Sequence, residues 1–289
     1  MHTSTEPPRT SRPARSIVLV SGVVMVLAVA AVVAAIWTPG DGAEVQGSGP
    51  VVGGDLHAVF TAGERTFMSG HAGAGYSDQP GAWTQIASLD DKDAMGWAQT
   101  SDALLVGGHG GLYRSTDDGE SFTADVAVPD GTDVHGLGAA GSTVYLSTPD
   151  QGLYVSTDGG ETFARRGSMP ALMGPVLVNP NNPDDAIAAD MQTGAVRTID
   201  GGQTWQPLGG PSSAMSVAQD PTDNRELVVI GMDDAAISRD GGRTWEAFDV
   251  PEATAAATYT PSGVVVVATL NGDRAHTYRF VRGEWRLES

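Results

Sequence analysis

One octapeptide recurs along the chain at a nearly fixed interval, and that interval limits the fold more than any other feature. It reads Ser156-Thr157-Asp158-Gly159-Gly160-Glu161-Thr162-Phe163, and it returns as Ser115 to Phe122, Thr198 to Trp205 and Ser238 to Trp245. The central aspartates Asp117, Asp158, Asp200 and Asp240 are 41, 42 and 40 residues apart. A degenerate copy, Tyr76 to Trp83, keeps Asp78 and the closing aromatic, while Tyr278 to Trp285 keeps only the aromatic. Six units at a period near 40 imply stacked modules, each unable to bury its apolar face alone.

The octapeptide has the chemistry of a hairpin turn. Its Ser or Thr and its Asp offer short side-chain oxygens to nearby backbone N–H groups, and its Gly pair supplies backbone angles that other residues reach only with strain. The aromatic begins the next strand and can wedge between neighbouring units. This pattern resembles the Asp-box (BNR) repeat of sialidase-like β-propellers, sortilin-type receptors and exported bacterial proteins. The resemblance runs from about residue 51 to the C-terminus. It implies that Asp78, Asp117, Asp158, Asp200 and Asp240 are structural turn residues, remote from any active site.

Residues 1–16 are polar and basic, with Arg9, Arg12 and Arg15, and are expected to form a cytoplasmic tail. Residues 17–37 form an uncharged run of Val and Ala type, 21 residues long, enough to span a bilayer core of ~30 Å as a signal-anchor helix. A cleaved signal peptide is the competing expectation, with a small-residue site at Ala28-Val29-Ala30. The positive-inside rule places the rest of the chain outside the cytoplasm, held to the cell membrane by one pass or secreted if cleavage occurs. Residues 38–54, rich in Gly and Pro, read as a flexible linker to one domain over 55–289. Beyond residue 15 the chain carries 34 acidic against 13 basic side chains, which repels nucleic acid and attracts cations. With no cysteine, the domain has neither disulfides nor a lipoprotein anchor.

Each repeat reads as four short strands, most clearly 134–139, 143–147, 152–156 and 162–166, with alternation in Val144-Tyr145-Leu146. Radial repetition of four-stranded units is the β-propeller. The expected fold is therefore an all-β, six-bladed β-propeller with Asp-box turns, preceded by one N-terminal transmembrane helix. Whether residues 50–54 add a closing strand is open at this point.

Strand direction puts the start of each first strand and the end of each second strand at the end away from the boxes. In-phase positions at the first-strand starts are His57, Met95, His135, Met173, Met215 and Ala256; at the second-strand ends they are His71, His109, Pro149, Met191, Met232 and Leu270. Nine of these twelve are His or Met, although residues 51–289 hold only five His and seven Met. Imidazole and thioether suit copper, with acidic neighbours Asp55, Asp93 and Asp133 orienting the rings. Zinc would use the histidines alone. The same residues could instead fill a narrowing channel, where Met adapts to irregular gaps, or line a site for an organic ligand.

The expected function is a membrane-anchored extracytoplasmic binding module, for a soft metal (copper), a small ligand or a protein partner at the channel face. A sialidase-like glycoside hydrolase and a protein-binding assembly factor or receptor are the alternatives. Sialidase itself is disfavoured: the resemblance asks for three arginines and a tyrosine in the site, and only Arg274 falls near the expected end. Asp93, Asp133, Asp150, Asp190 and Asp233 keep a two-carboxylate hydrolase open.

Overall fold

Short β-branched and alanine-rich runs separated by Gly-containing turns fold here into antiparallel meanders. The computed structural model describes residues 49–125, 127–128, 131–166 and 172–288; the proposed tail and anchor, and most of the linker, lie outside the described residues. Among the described residues no helix is long and apolar enough to cross a membrane. The first meander is Leu56–Ala62, Arg65–Gly70, Gly73–Gln79 and Ala82–Gln85 (β1 to β4). The second is Gly96–Gln99, Leu104–Gly108, Gly111–Ser115 and Thr123–Ala124 (β5 to β8). Gly136–Ala140, Thr143–Thr148, Gly152–Ser156 and Ala164–Arg166 follow as β9 to β12, and Leu172–Val178, Ala186–Asp190, Gly194–Thr198 and Gln206–Gly209 as β13 to β16. Ala214–Gln219, Leu227–Gly231, Ala235–Ser238 and Glu246–Ala247 are β17 to β20, and Thr254–Tyr259, Val265–Asn271, Arg274–Val281 and Glu284–Leu287 are β21 to β24.

The strands form four four-stranded sheets and one eight-stranded sheet, in which β9 to β12 and β13 to β16 are joined by β9 and β13. That junction is a parallel pairing of two residues, Gly136 with Gly174 and Leu137 with Pro175. First strands pack side by side around a ring, and β21 lies against β1. The architecture is an all-β propeller. In the third repeat the first strand starts at Gly136, two residues later than expected, because the Val134 N–H bonds to Gly108 of the preceding meander.

Apolar side chains cluster between neighbouring meanders. Phe67 of β2 packs with Trp97 of β5 and Phe122, and the buried Trp97 indole donates to Ser69 Oγ at 2.7 Å. Across the closing seam, Leu56, Val59 and Met68 pack with Ala256, Ala268 and Ala275. Linker residues take part in the closure: Val51 bridges to Arg274, Val52 is fully buried, and the Ala275 and Ala72 N–H groups donate to Pro50 and Val52 carbonyls.

The four full boxes share one hydrogen-bond plan. The first hydroxyl donates to the aspartate at 2.7 Å (Ser115 to Asp117), 2.6 Å (Ser156 to Asp158), 2.8 Å (Thr198 to Asp200) and 2.9 Å (Ser238 to Asp240). Each aspartate then accepts the N–H and hydroxyl of the residue four further on, as Asp200 does from Thr204. Hydrogen bonds led by the Ser121, Thr204 and Thr244 hydroxyls hold the Asp117, Asp200 and Asp240 carboxyls down to about 2. Asp158 is also lowered, first by Ser156. Asp78 does something else: it takes Arg65 Nε and Nη2 at 2.7 and 3.0 Å, and that guanidinium lies 4.1 Å above the Tyr76 ring.

Candidate metal centre

The end of the ring away from the boxes is assembled by hydrogen bonds between successive meanders. Ala94 N–H donates to Gly70 O at 3.0 Å, and Val134 N–H to Gly108 O at 3.1 Å. The residue before each donor is an aspartate and the residue after each acceptor is a histidine. Asp93 is thereby set beside His71, and Asp133 beside His109. Gly108 allows the approach, because a Cβ there would lie 2.2 Å from the Asp93 carbonyl oxygen. His57 is the unpaired residue of a β-bulge, since Leu56 pairs with Gly70 and Ala58 with Ser69. Met215 occupies the same kind of bulge in β17. In β21 the bulge residue is Ala255, one position before the in-phase Ala256.

The result is one row of alternating imidazoles and carboxylates. Ring centroids are 4.6 Å apart for His57 and His71, 5.4 Å for His71 and His109, and 5.8 Å for His109 and His135. Three overlapping sets each bring one ligand atom per residue within 4.8 Å of the others: Asp55 with His57 and His71, His71 with Asp93 and His109, and His109 with Asp133 and His135. His57 and Asp93 are the buried members, each side chain 7% exposed, whereas His71 and His109 open to solvent at 46% and 50%.

The third set is the best prepared for a cation. Asp133 Oδ1 lies 3.0 Å from His135 Nε2 and 3.6 Å from His109 Nε2. Asp133 Oδ1 and His135 Nε2 are both buried and neither has a hydrogen-bond partner, so their 3.0 Å approach lacks hydrogen-bond geometry. Ligands bound to one ion at about 2.0–2.1 Å stand about 3.3 Å apart in a tetrahedron, between these two separations. The far nitrogens are held as well. His109 Nδ1 is 2.6 Å from Asp93 Oδ2, and His135 Nδ1 is 3.3 Å from Met173 Sδ. In the tautomer that donates Nδ1–H to the thioether, which only accepts, the Nε2 lone pair of His135 faces Asp133. Ring nitrogens oriented in this way by outer partners are the usual support of a metal-binding imidazole. Burial pushes the Asp93 carboxyl up, but the His57 ring and the His109 backbone N–H outweigh it and hold the group below the usual carboxylate value.

Sequence spacing anticipated the four histidines at this end, and the structure brings them together with Met173. Met95 is buried behind them, Met215 is partly buried, and Met191 and Met232 are exposed at 37% and 67%. Among the described residues no hydrogen bond or ring contact joins these four methionines to the row. Asp93 orients the His109 ring, as expected, and Asp55, Asp93 and Asp133 each also bring a carboxylate oxygen within 4.8 Å of two imidazole nitrogens. Their signal in the sequence is the spacing Asp-x-His or Asp-x-Met at three successive first strands. Asp190 is a fully buried turn residue whose Oδ1 accepts from the Gln192 and Thr193 N–H groups. Arg274 donates to Gly49 O at 2.7 Å in the closing seam.

A family model described as the BNR/Asp-box repeat matches residues 236–247. No curated protein matches the chain. Among solved structures, the chain is similar to an ancestral GH74 enzyme (TM-score 0.54, 16% identity, covering 83% of this chain and 38% of that one). It is similar to the GH74 xyloglucanase from Xanthomonas campestris (TM-score 0.53, 16% identity, 80% of this chain and 52% of that one). A third similar structure is YCF48 bound to D1 peptide (TM-score 0.50, 18% identity, 67% of this chain and 66% of that one). The chain thus spans 38% and 52% of the two enzymes' lengths. At these identities the likeness is one of fold.

Proposed function

We propose that the domain is a metal-binding module in which His109 Nε2, Asp133 Oδ1 and His135 Nε2 hold one dication and leave a coordination position open. The observation that carries this is the pair of buried, unpartnered ligand atoms, Asp133 Oδ1 and His135 Nε2, 3.0 Å apart. Two imidazoles and a carboxylate suit Zn(II) and Cu(II), with Cu(II) the tighter of the two. Cu(I) would want thioether ligands, and the one sulfur at the row is engaged by His135 Nδ1. In this proposal Met173 and Asp93 support the ring nitrogens and Asp133 is a ligand. We count the eight-stranded sheet as two blades, giving six, and place residues 17–37 as an anchor with the site outside the cytoplasm.

Calorimetric titration of the metal-stripped, detergent-solubilised full chain with Cu(II), Zn(II) and, under reducing conditions, Cu(I) tests the proposal. The expected order is Cu(II) above Zn(II), with Asp133→Asn weakening both by more than about 100-fold and Met173→Leu by about tenfold. Equal affinity in wild type and in Asp133→Asn overturns it. Recovery of the chain without detergent, starting near residue 31, would overturn the anchor.

A second proposal, a saccharide-acting groove, draws on the GH74 likeness and on one concavity. Trp83, Gln85, Asp90, Asp91 and Arg274 line a groove of about 530 Å³ beside the closing seam, and the buried Trp83 Nε1 has no acceptor there. Hydrolysis of xyloglucan that is lost in Asp90→Asn or Asp91→Asn would support it; absence of turnover removes it.

A further inference from the structure

Asp93 has an oxygen that the single-ion site does not use. Its Oδ2 accepts the His109 backbone N–H at 3.0 Å and faces His109 Nδ1. Its Oδ1 is buried, has no hydrogen-bond partner, and lies 3.3 Å from His57 Nε2. Across from it, His57 Nε2 and His71 Nδ1 are 2.7 Å apart, and Asp55 Oδ2 stands 3.5 Å from His71 Nδ1.

We infer that the row holds a second dication, bound by His57 Nε2, His71 Nδ1, Asp93 Oδ1 and Asp55 Oδ2, and that Asp93 couples the two ions. This inference rests on the first site being a metal site. One carboxylate then serves both: Oδ1 binds the second ion while Oδ2 orients His109, a ligand of the first. A single ion placed centrally, between His71, Asp93 and His109, would take a histidine from each outer set. It would also leave Asp133 Oδ1 and His135 Nε2 unpartnered. Two outer ions use every unpartnered atom of the row. The charges suit this arrangement, because three carboxylates stand among the four imidazoles and offset three of the four positive charges two dications bring.

The test is stoichiometry, read by elemental analysis and by titration of the full chain with copper(II) sulfate and zinc chloride. Two equivalents are expected. His57→Gln and the exposed Asp55→Asn should each leave one equivalent, and Asp133→Asn should leave the other. Asp93→Asn should remove the second ion and weaken the first by about 10–100-fold. Paired Cu(II) ions should broaden one another's electron paramagnetic resonance lines, and His57→Gln should sharpen them. One equivalent in wild type that His57→Gln and Asp55→Asn leave intact overturns the second site and keeps the first. No bound metal overturns both.

Discussion

Replacing Gly202 with alanine isolates the contact through which an Asp box braces the preceding meander. The glycine at the fifth position of each full box has φ between +82° and +87°, and at Gly202 the missing side chain is also filled space: a Cβ would meet Leu153 Cδ2 at 2.4 Å and Tyr145 Cε1 at 3.2 Å. Leu153 and Tyr145 are both fully buried, so neither has room to retreat. The first glycine of the next box, Gly241, has φ +79° and nothing within 4 Å of its virtual Cβ. Alanine there carries only the left-handed backbone penalty of about 1–2 kcal/mol. At Gly202 overpacking adds about 1–3 kcal/mol, for a total of about 2–5 kcal/mol. For a domain of this size each kcal/mol moves Tm by about 2–4 °C, so Gly202→Ala should melt about 2–12 °C below Gly241→Ala. Urea unfolding followed by tryptophan fluorescence, with calorimetry alongside, measures both. Equal losses in the two variants would refute the argument, because the box glycine would then be only a turn residue.

The box carboxyls should set the acid limb of the stability curve. Asp117, Asp200 and Asp240 ionise at about 2 when folded against 3.8 otherwise. Their contribution is therefore full above about pH 4 and is lost as pH falls through about 2. Urea midpoints between pH 5 and pH 2 should flatten when all three are changed to Asn, and an unchanged slope would count against the hydrogen-bond account. Ser69→Ala leaves the Trp97 indole N–H buried without its acceptor and should cost about 1–3 kcal/mol by urea unfolding, with Trp97→Phe in the same background removing the unpaired donor. Adding Cu(II) at about 100 times its Kd should stabilise the protein by about 2.7 kcal/mol, reversed by a chelator. Asp133→Asn combined with His57→Gln should show no such shift in Tm.

The architecture and the site were legible in the sequence to different depths, for a physical reason. A box closes its hydrogen bonds within eight residues, and a short strand announces itself by alternation, so the turns, the period and the β-propeller follow from local chemistry. Asp78 shows where that ends: its spacing matches the boxes, yet Arg65, thirteen residues earlier, supplies an ion pair in place of the hydroxyl network. The four histidines could be placed at one end of the ring because strand direction is countable. Their partners could not, since side-chain direction depends on bulges and on hydrogen bonds between repeats. Gly70 to Ala94 and Gly108 to Val134 are contacts between different modules, and they turn Asp93 and Asp133 toward the imidazoles. The same packing sets Met173 against one ring nitrogen of His135 and leaves Met191 and Met232 in solvent. Closure by Val51 and Val52 was likewise invisible, because it joins residues more than 200 positions apart. Residue types at a fixed period determined what kind of structure forms; the close approach of neighbouring meanders decided which of those residues meet.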